Sequence, residues 1–127
     1  MNSKEVAQLF DLPIDTIRYY ERVGVIPPIT RDKNGYRIYA KRDLNWIFLA
    51  KSLRKAGLSI ESLIEFATLA QSKENVRAAQ KQILQDQLTE INVKLEEMVR
   101  ARDLLEYKIE TFDDHVAKIN AGELSDD

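Results

Sequence analysis

The sequence predicts a mainly α fold: a helix-turn-helix with a small β-hairpin beside it, followed by a long helix built to pair as a coiled coil. Three observations carry this. Two short amphipathic stretches, Ser3–Phe10 and Ile14–Val23, are separated only by Asp11-Leu12-Pro13. An Asn34-Gly35 step lies among residues that favour extended backbone. From Leu84 onward apolar residues recur at alternating spacings of four and three, and no Pro or Gly interrupts residues 74–111.

The first helix places Val6, Leu9 and Phe10 on one face, with Ser3 available as its N-cap. Pro13 stands where a second helix can begin, and Asp15 in its first turn complements the helix dipole. That helix runs to about Val23, and Gly24 is a left-handed C-cap candidate. Val25-Ile26-Pro27-Pro28 cannot be helical through its prolines and should run extended. Asn34-Gly35 suits a type I′ turn, whose two central residues both need positive φ; Tyr36 and Ile38 then fall on the returning strand. A hairpin directly after a helix-turn-helix is a wing.

A third helix is expected over Asp43–Lys55, burying Leu44, Ile47, Phe48, Ala50, Leu53 and Trp46, and stopped by Gly57. Ala40 precedes it without a capping hydroxyl, a cost of about 1 kcal/mol. Ser59 caps a fourth helix, and Leu58 with Leu63 can form a hydrophobic staple across its start. Its apolar face holds Ile60, Leu63, Ile64, Phe66, Ala67 and Ala70. The seam that follows is Leu84, Leu88, Ile91, Leu95, Met98, Arg102, Leu105, Ile109, Phe112, Val116 and Ile119, apolar at every position but Arg102. An uninterrupted helix of that span measures on the order of 60 Å at about 1.5 Å per residue. The small N-terminal domain cannot cover it, so the expected partner is a second copy of the chain. Arg102 is expected to snorkel or to set the register. The resulting division is a winged helix-turn-helix domain over 1–71, a coiled-coil dimerisation helix with a short helical extension over 72–120, and a frayed tail over 121–127.

Charge divides along the same line. Residues 1–57 hold eleven Lys/Arg against six Asp/Glu, a net +5, and the remaining 70 residues carry −7. A basic half attracts phosphate while an acidic half keeps the remainder off a nucleic acid. The chain has no cysteine, which excludes disulfides, thiolate metal sites and thiol redox chemistry within it. Its single histidine, His115, cannot form a histidine metal cluster, and no acid, base and nucleophile converge in the sequence. The expectation is a non-enzymatic, cytoplasmic binding protein without a cofactor, a signal peptide or a membrane span.

The informative stretch is Thr16-Ile17-Arg18-Tyr19-Tyr20-Glu21-Arg22. The second helix of a helix-turn-helix enters the major groove, where Arg addresses guanine edges or phosphates and tyrosine hydroxyls hold phosphates. Adjacent helical positions cannot both face one core, so at least one of Tyr19 and Tyr20 is expected to be functional. These residues, followed by Gly24-Val25-Ile26-Pro27-Pro28, by Arg31, by Asn34-Gly35-Tyr36-Arg37-Ile38-Tyr39 and by Leu53-Arg54-Lys55-Ala56-Gly57-Leu58-Ser59-Ile60-Glu61, resemble the mercury-resistance-regulator (MerR) family of transcription factors. The resemblance covers about residues 1–70 closely, and the helix beyond in type.

The resemblance implies a homodimer joined by an antiparallel coiled coil and bound to a pseudo-palindromic promoter site with an overlong −35 to −10 spacer. Bending and untwisting that double-stranded DNA lets RNA polymerase engage both elements. Carried over, Thr16, Arg18 and Tyr19 or Tyr20 belong to the recognition helix, Arg31, Tyr36 and Arg37 to the wing and its approach, and Arg54 to a backbone contact. For Arg31 and Arg54 an ordinary solvated surface charge is the competing reading. Lys4 is a further phosphate-contact candidate on the first helix. Dimerisation falls to Leu84, Leu88, Ile91, Leu95, Met98, Leu105 and Ile109. Without cysteines or a large C-terminal ligand domain, the chain resembles the short branch that includes regulators of aldehyde or general stress responses. A small-molecule effector is admitted but no effector residue is singled out; Trp46, Phe66, Tyr107 and Phe112 read first as packing. The competing functions are a repressor or architectural, excisionase-like DNA-bending protein, and a coiled-coil adaptor.

Overall fold

The structure, a computed structural model, describes residues 1–72 and 76–122. Its elements run α1 (Ser3–Phe10), α2 (Ile14–Val23), β1 (Thr30–Arg31), β2 (Arg37–Ile38), α3 (Lys41–Lys55), α4 (Ile60–Ala70), α5 (Arg77–Glu110) and α6 (Phe112–Asn120). The chain divides into two compact units, Met1–Gln87 and the residues from Leu88 onward.

In the first unit, α1 is capped by Asn2 rather than by Ser3. The Asn2 side chain accepts from the Glu5 amide at 2.9 Å, and the Glu5 carboxylate accepts from the Asn2 amide at 3.0 Å. Asn2 has an acid three residues on and can close this reciprocal box, whereas Ser3 has Val6 there. Asp11 ends α1 with φ +51°, and α2 occupies its expected span with Gly24 left-handed behind it. The segment 25–29 is non-helical, as its prolines require.

The hairpin forms, with Thr30 opposite Ile38 and Arg31 opposite Arg37, but its turn is not type I′. Gly35 has φ +85° while Asn34 is not in the left-handed region. Asp32 is the reason. Its carboxylate accepts from the Asn34 and Tyr36 amides at 2.8 and 3.0 Å, and its carbonyl accepts from the Gly35 amide. An Asx turn followed by one left-handed glycine therefore replaces the mirror-image turn.

α3 starts at Lys41, two residues earlier than expected, with no side-chain cap from Ala40 but with Asp43 in its first turn reaching back to the residue before the helix. The Asp43 carboxylate accepts from the Ala40 amide at 2.8 Å and lies buried. The buried line of α3 is Asp43, Ile47 and Ala50. Phe48, expected inside, stands 63% exposed, because one residue beyond Ile47 is about 100° around the helix. Leu9 on α1 and Ala70 on α4 were also expected on apolar faces and are likewise exposed. At the start of α4, Ser59 accepts from the Ser62 amide, and Leu58 and Leu63 are both buried.

The core gathers Val6, Ile17, Tyr20, Val25, Ile26, Ile29, Tyr39, Ile47, Ala50, Leu58 and Leu63. The first turns of α5 belong to this unit: Ile83 packs against the core, Gln80 donates to the Phe66 carbonyl, and Gln87 donates to the Ala56 carbonyl at 3.0 Å.

Beyond Leu88, no residue of α5 is fully buried. Leu88, Leu95, Met98, Leu105 and Ile109 are 53–75% exposed, Leu84 in the preceding unit is 37% exposed, and Ile91 is half-buried. Arg102 pairs with Asp103 at 3.2 Å and with Glu106 at 3.8 Å along its own helix. α5 ends at Glu110, and Thr111 marks the step into α6. The Thr111 hydroxyl donates to the Tyr107 carbonyl at 2.8 Å, and the Tyr107 and His115 rings meet edge-on. Residues 73–75 near the start of the segment expected as the dimerisation helix, and most of the tail expected to fray, lie outside the described residues.

Candidate nucleic-acid interface

The site is organised by α2. Its buried face is Ile17 and Tyr20, three residues apart, and this turns Arg18 outward and leaves Tyr19 half-buried. Tyr20, expected as one of two candidate contacts, is 6% exposed and packs in the core. A side chain so enclosed has little surface left for a ligand, and Tyr19 is the more exposed ring of the pair. Arg22 lies 5.3 Å from the centre of the Tyr19 ring, a cation–π contact that braces that ring from the following turn. Thr16 is half-buried in the first turn of the helix.

Glu21 ties this helix to the hairpin. Its carboxylate takes the Arg37 guanidinium through Nε at 2.7 Å and accepts from the Ile29 amide at 2.9 Å. Both side chains are largely buried, at 20% for Arg37 and 15% for Glu21. Arg37, expected to grip a flanking phosphate, lies on the groove and is also tied to Glu21 between α2 and the wing, with part of its charge matched. An ion pair this enclosed is costly to break from one side, because the remaining charge stays poorly solvated. Glu21 was not singled out in the sequence; the available signal was an acid set between Arg18 and Arg22 in a basic stretch.

The wing carries the more exposed groups. Tyr36 is 73% exposed, and the Arg31 guanidinium donates to the Gly35 carbonyl at 2.9 Å across the turn. Between hairpin and helices lies a groove lined by Lys4, Arg18, Arg31, Tyr36 and Arg37, with Asn2, Ser3, Asp32 and Gly35 also on its walls. Four cations against one carboxylate, itself engaged by backbone amides, make the groove basic. The structure therefore brings Arg18, Arg31, Tyr36 and Arg37 to one surface and adds Lys4 to them.

Arg54 lies apart from this groove. It donates from Nη1 to the Leu58 carbonyl at 2.6 Å, closing the turn between α3 and α4. Nearby, the Lys51 ammonium reaches the Phe10 carbonyl and joins α3 to the end of α1. Among the described residues no group of three His, Cys, Asp or Glu side chains is placed to hold a metal ion, and no helix is long and apolar enough to cross a membrane.

The family model for MerR helix-turn-helix regulatory proteins matches residues 1–68, the span that holds both groove and turn. The chain is 48% identical over 87 residues to the transcriptional regulator AdhR of Bacillus subtilis, a match covering 68% of this chain and 62% of that relative. It is 37% identical over 109 residues to the transcriptional regulator HmrR of Rhizobium leguminosarum bv. viciae, covering 86% and 84%. Among solved structures, a MerR family transcriptional regulator from Listeria monocytogenes aligns with a TM-score of 0.75 at 38% identity, covering 96% of this chain and 92% of that one. HiNmlR, a MerR family regulator lacking the sensor domain and bound to promoter DNA, aligns with a TM-score of 0.70 at 25% identity over 91% and 92%. With a winged helix-turn-helix that places Arg18 and the wing on one basic groove, the chain belongs to the MerR family of DNA-binding transcriptional regulators.

Proposed function

We propose that the protein acts as a homodimer that binds a pseudo-palindromic promoter site and bends and untwists an overlong spacer, so that RNA polymerase can engage both promoter elements in response to a signal. The observation that carries the dimer is the seam. Leu88, Leu95, Met98, Leu105 and Ile109 lie 53–75% exposed at heptad spacing on one helix. Apolar surface removed from water contributes about 25 cal/mol per Å², and a matching helix from a second chain, running antiparallel, is the natural cover. Leu84 and Ile91 extend the same line. In this reading residues 1–71 bind DNA and 72–120 dimerise.

On the DNA, Arg18 and Tyr19, with Thr16 at the helix start, face base edges and phosphates in the major groove. Arg31 and Tyr36 grip phosphates flanking it, while Arg37 carries the wing on Glu21 and adds its remaining charge. Arg54 meets the backbone from the turn after α3. The relative HiNmlR, bound to promoter DNA, supports DNA binding by this fold. Deforming the spacer costs energy that depends on its sequence, so part of the specificity resides at base pairs the protein does not touch.

The test is binding to the protein's own promoter region at several salt concentrations, with footprinting across the spacer. Protection with two-fold symmetry between the −35 and −10 elements, and hypersensitivity at its centre, is the expected result. The logarithmic salt dependence should steepen by about 0.9 for each phosphate neutralised. Binding without a discrete footprint would indicate an architectural protein, and no binding at low salt would favour an adaptor.

A further inference from the structure

A second groove adjoins the basic one and shares its wall. It lies between α1 and α2, is lined by Ala7, Leu12, Pro13 and Ile14, and has Ser3, Lys4 and Arg18 in common with the first groove. Gln8 and Asp11 complete its rim. We propose that this recess reads the C5-methyl group of a thymine in each half of the operator, making Ile14 and Leu12 specificity-determining residues beside Arg18. This inference rests on the recognition-helix reading given under Proposed function.

Three observations converge on that occupant. Arg18 and Ile14 are four residues apart on α2 and share one face of the helix. One helical turn is about 5.4 Å and one base-pair step about 3.4 Å, so Ile14 falls one to two base pairs from whatever Arg18 contacts. Next, Asp11 is the one acid on the recess. A carboxylate there repels phosphate, so the recess is not a backbone site although Lys4 and Arg18 beside it are suited to one. Finally, apart from Ser3 and Gln8, the uncharged lining is hydrocarbon from Ala7, Leu12, Pro13 and Ile14, and on the major-groove edge the thymine methyl is the apolar group that distinguishes one base pair from another. Cations at the shared wall, an acid at the far rim and an apolar interior thus sort the DNA surface by chemistry.

The experiment replaces each thymine of the footprinted duplex with uracil, which deletes only that methyl, and measures affinity of the full-length protein. One thymine in each half-site should lose about three- to tenfold in affinity when demethylated, and thymines elsewhere should change little. With Ile14→Ala, or with Leu12→Ala, the penalty at that position should fall below about twofold. Both residues also pack partly against the core, so the uracil scan on the unaltered protein is the primary measurement. Silence of uracil at every thymine in a duplex that binds would overturn the inference. So would a penalty that persists undiminished in both variants, since the methyl would then be read elsewhere. Failure to bind any promoter duplex would instead overturn the recognition-helix reading, and this inference with it.

Discussion

The two units of the chain use apolar side chains in opposite ways. In the first, Val6, Ile17 and Ile47 have no measurable exposure, and the helix starts and turns around them are closed by side chains such as Asn2, Asp32, Asp43 and Ser59. In the second, no residue of α5 or α6 is buried, although leucine, isoleucine, valine and methionine recur along α5, and α6 carries Phe112, Val116 and Ile119. The lesson is thermodynamic. The first unit satisfies its hydrophobic surface within one chain, so its stability belongs to the monomer. The second leaves apolar surface exposed that the proposed homodimer would cover, and in that reading its stability depends on concentration.

The sharpest way to break that contrast is to charge the seam. The double variant Leu95→Asp, Leu105→Asp should abolish association, raising the dimer dissociation constant by at least about a thousandfold. Sedimentation velocity would read this as a monomer, while circular dichroism should still register the folded N-terminal unit. Loss of that unit together with the dimer would mean the two regions are not independent in the way proposed.

The converse experiment removes core volume from the first unit. Ile17→Ala deletes buried methyl groups from the face of α2 that holds the recognition helix in place, and should cost about 3 kcal/mol. Urea unfolding of the N-terminal unit should show that loss at every protein concentration, unlike the seam variant. A smaller effect is expected from Glu21→Ala, about 2 kcal/mol, because it leaves the Arg37 guanidinium and the Ile29 amide without their carboxylate partner. Its second readout is DNA affinity. If Arg37 serves as a strut, freeing it should weaken binding despite raising the net positive charge; tighter binding would show that charge, not wing position, governs the contact.

These cases mark what was legible beforehand. The bounds of α2, the Gly24 cap and the Ser59 start with its Leu58–Leu63 pair were readable because each depends on residues within one or two turns. Arg18 at the groove followed from the helix, and so did the split between Tyr19 and Tyr20, although which ring faces inward depends on what α2 packs against. The Arg37–Glu21 pair was not legible because its partners lie sixteen residues apart, and pairing at that range is set by how the hairpin returns to α2. The turn type was missed for a local reason of a different kind. Asp32 competes for the amides that a type I′ geometry would leave to the strands, and Asn-Gly alone does not reveal that competitor. Phe48 shows the limit of an apolar count: a helix face is chosen by its neighbours, and Phe48 is one residue out of phase with the buried line.

The smallest expected effect probes how completely the first unit satisfies itself. Tyr39 is 3% exposed and its backbone amide donates to the Met1 carbonyl at 2.8 Å, yet its hydroxyl is buried without a hydrogen-bond partner among the described residues. A buried hydroxyl in that state bears the cost of leaving water with nothing in return, about 1–3 kcal/mol for a group fully deprived of partners. Tyr39→Phe keeps the ring and its packing and deletes only the oxygen, so it should stabilise the N-terminal unit by up to about 1 kcal/mol. The gain should be the same in the dimer and in the seam-charged monomer, because the ring lies in a core made by one chain. A loss of stability above about 0.5 kcal/mol would show that the hydroxyl finds a partner in solution. A gain present only in the dimer would show that the core around Tyr39 responds to association, and the two regions would then share their stability rather than divide it.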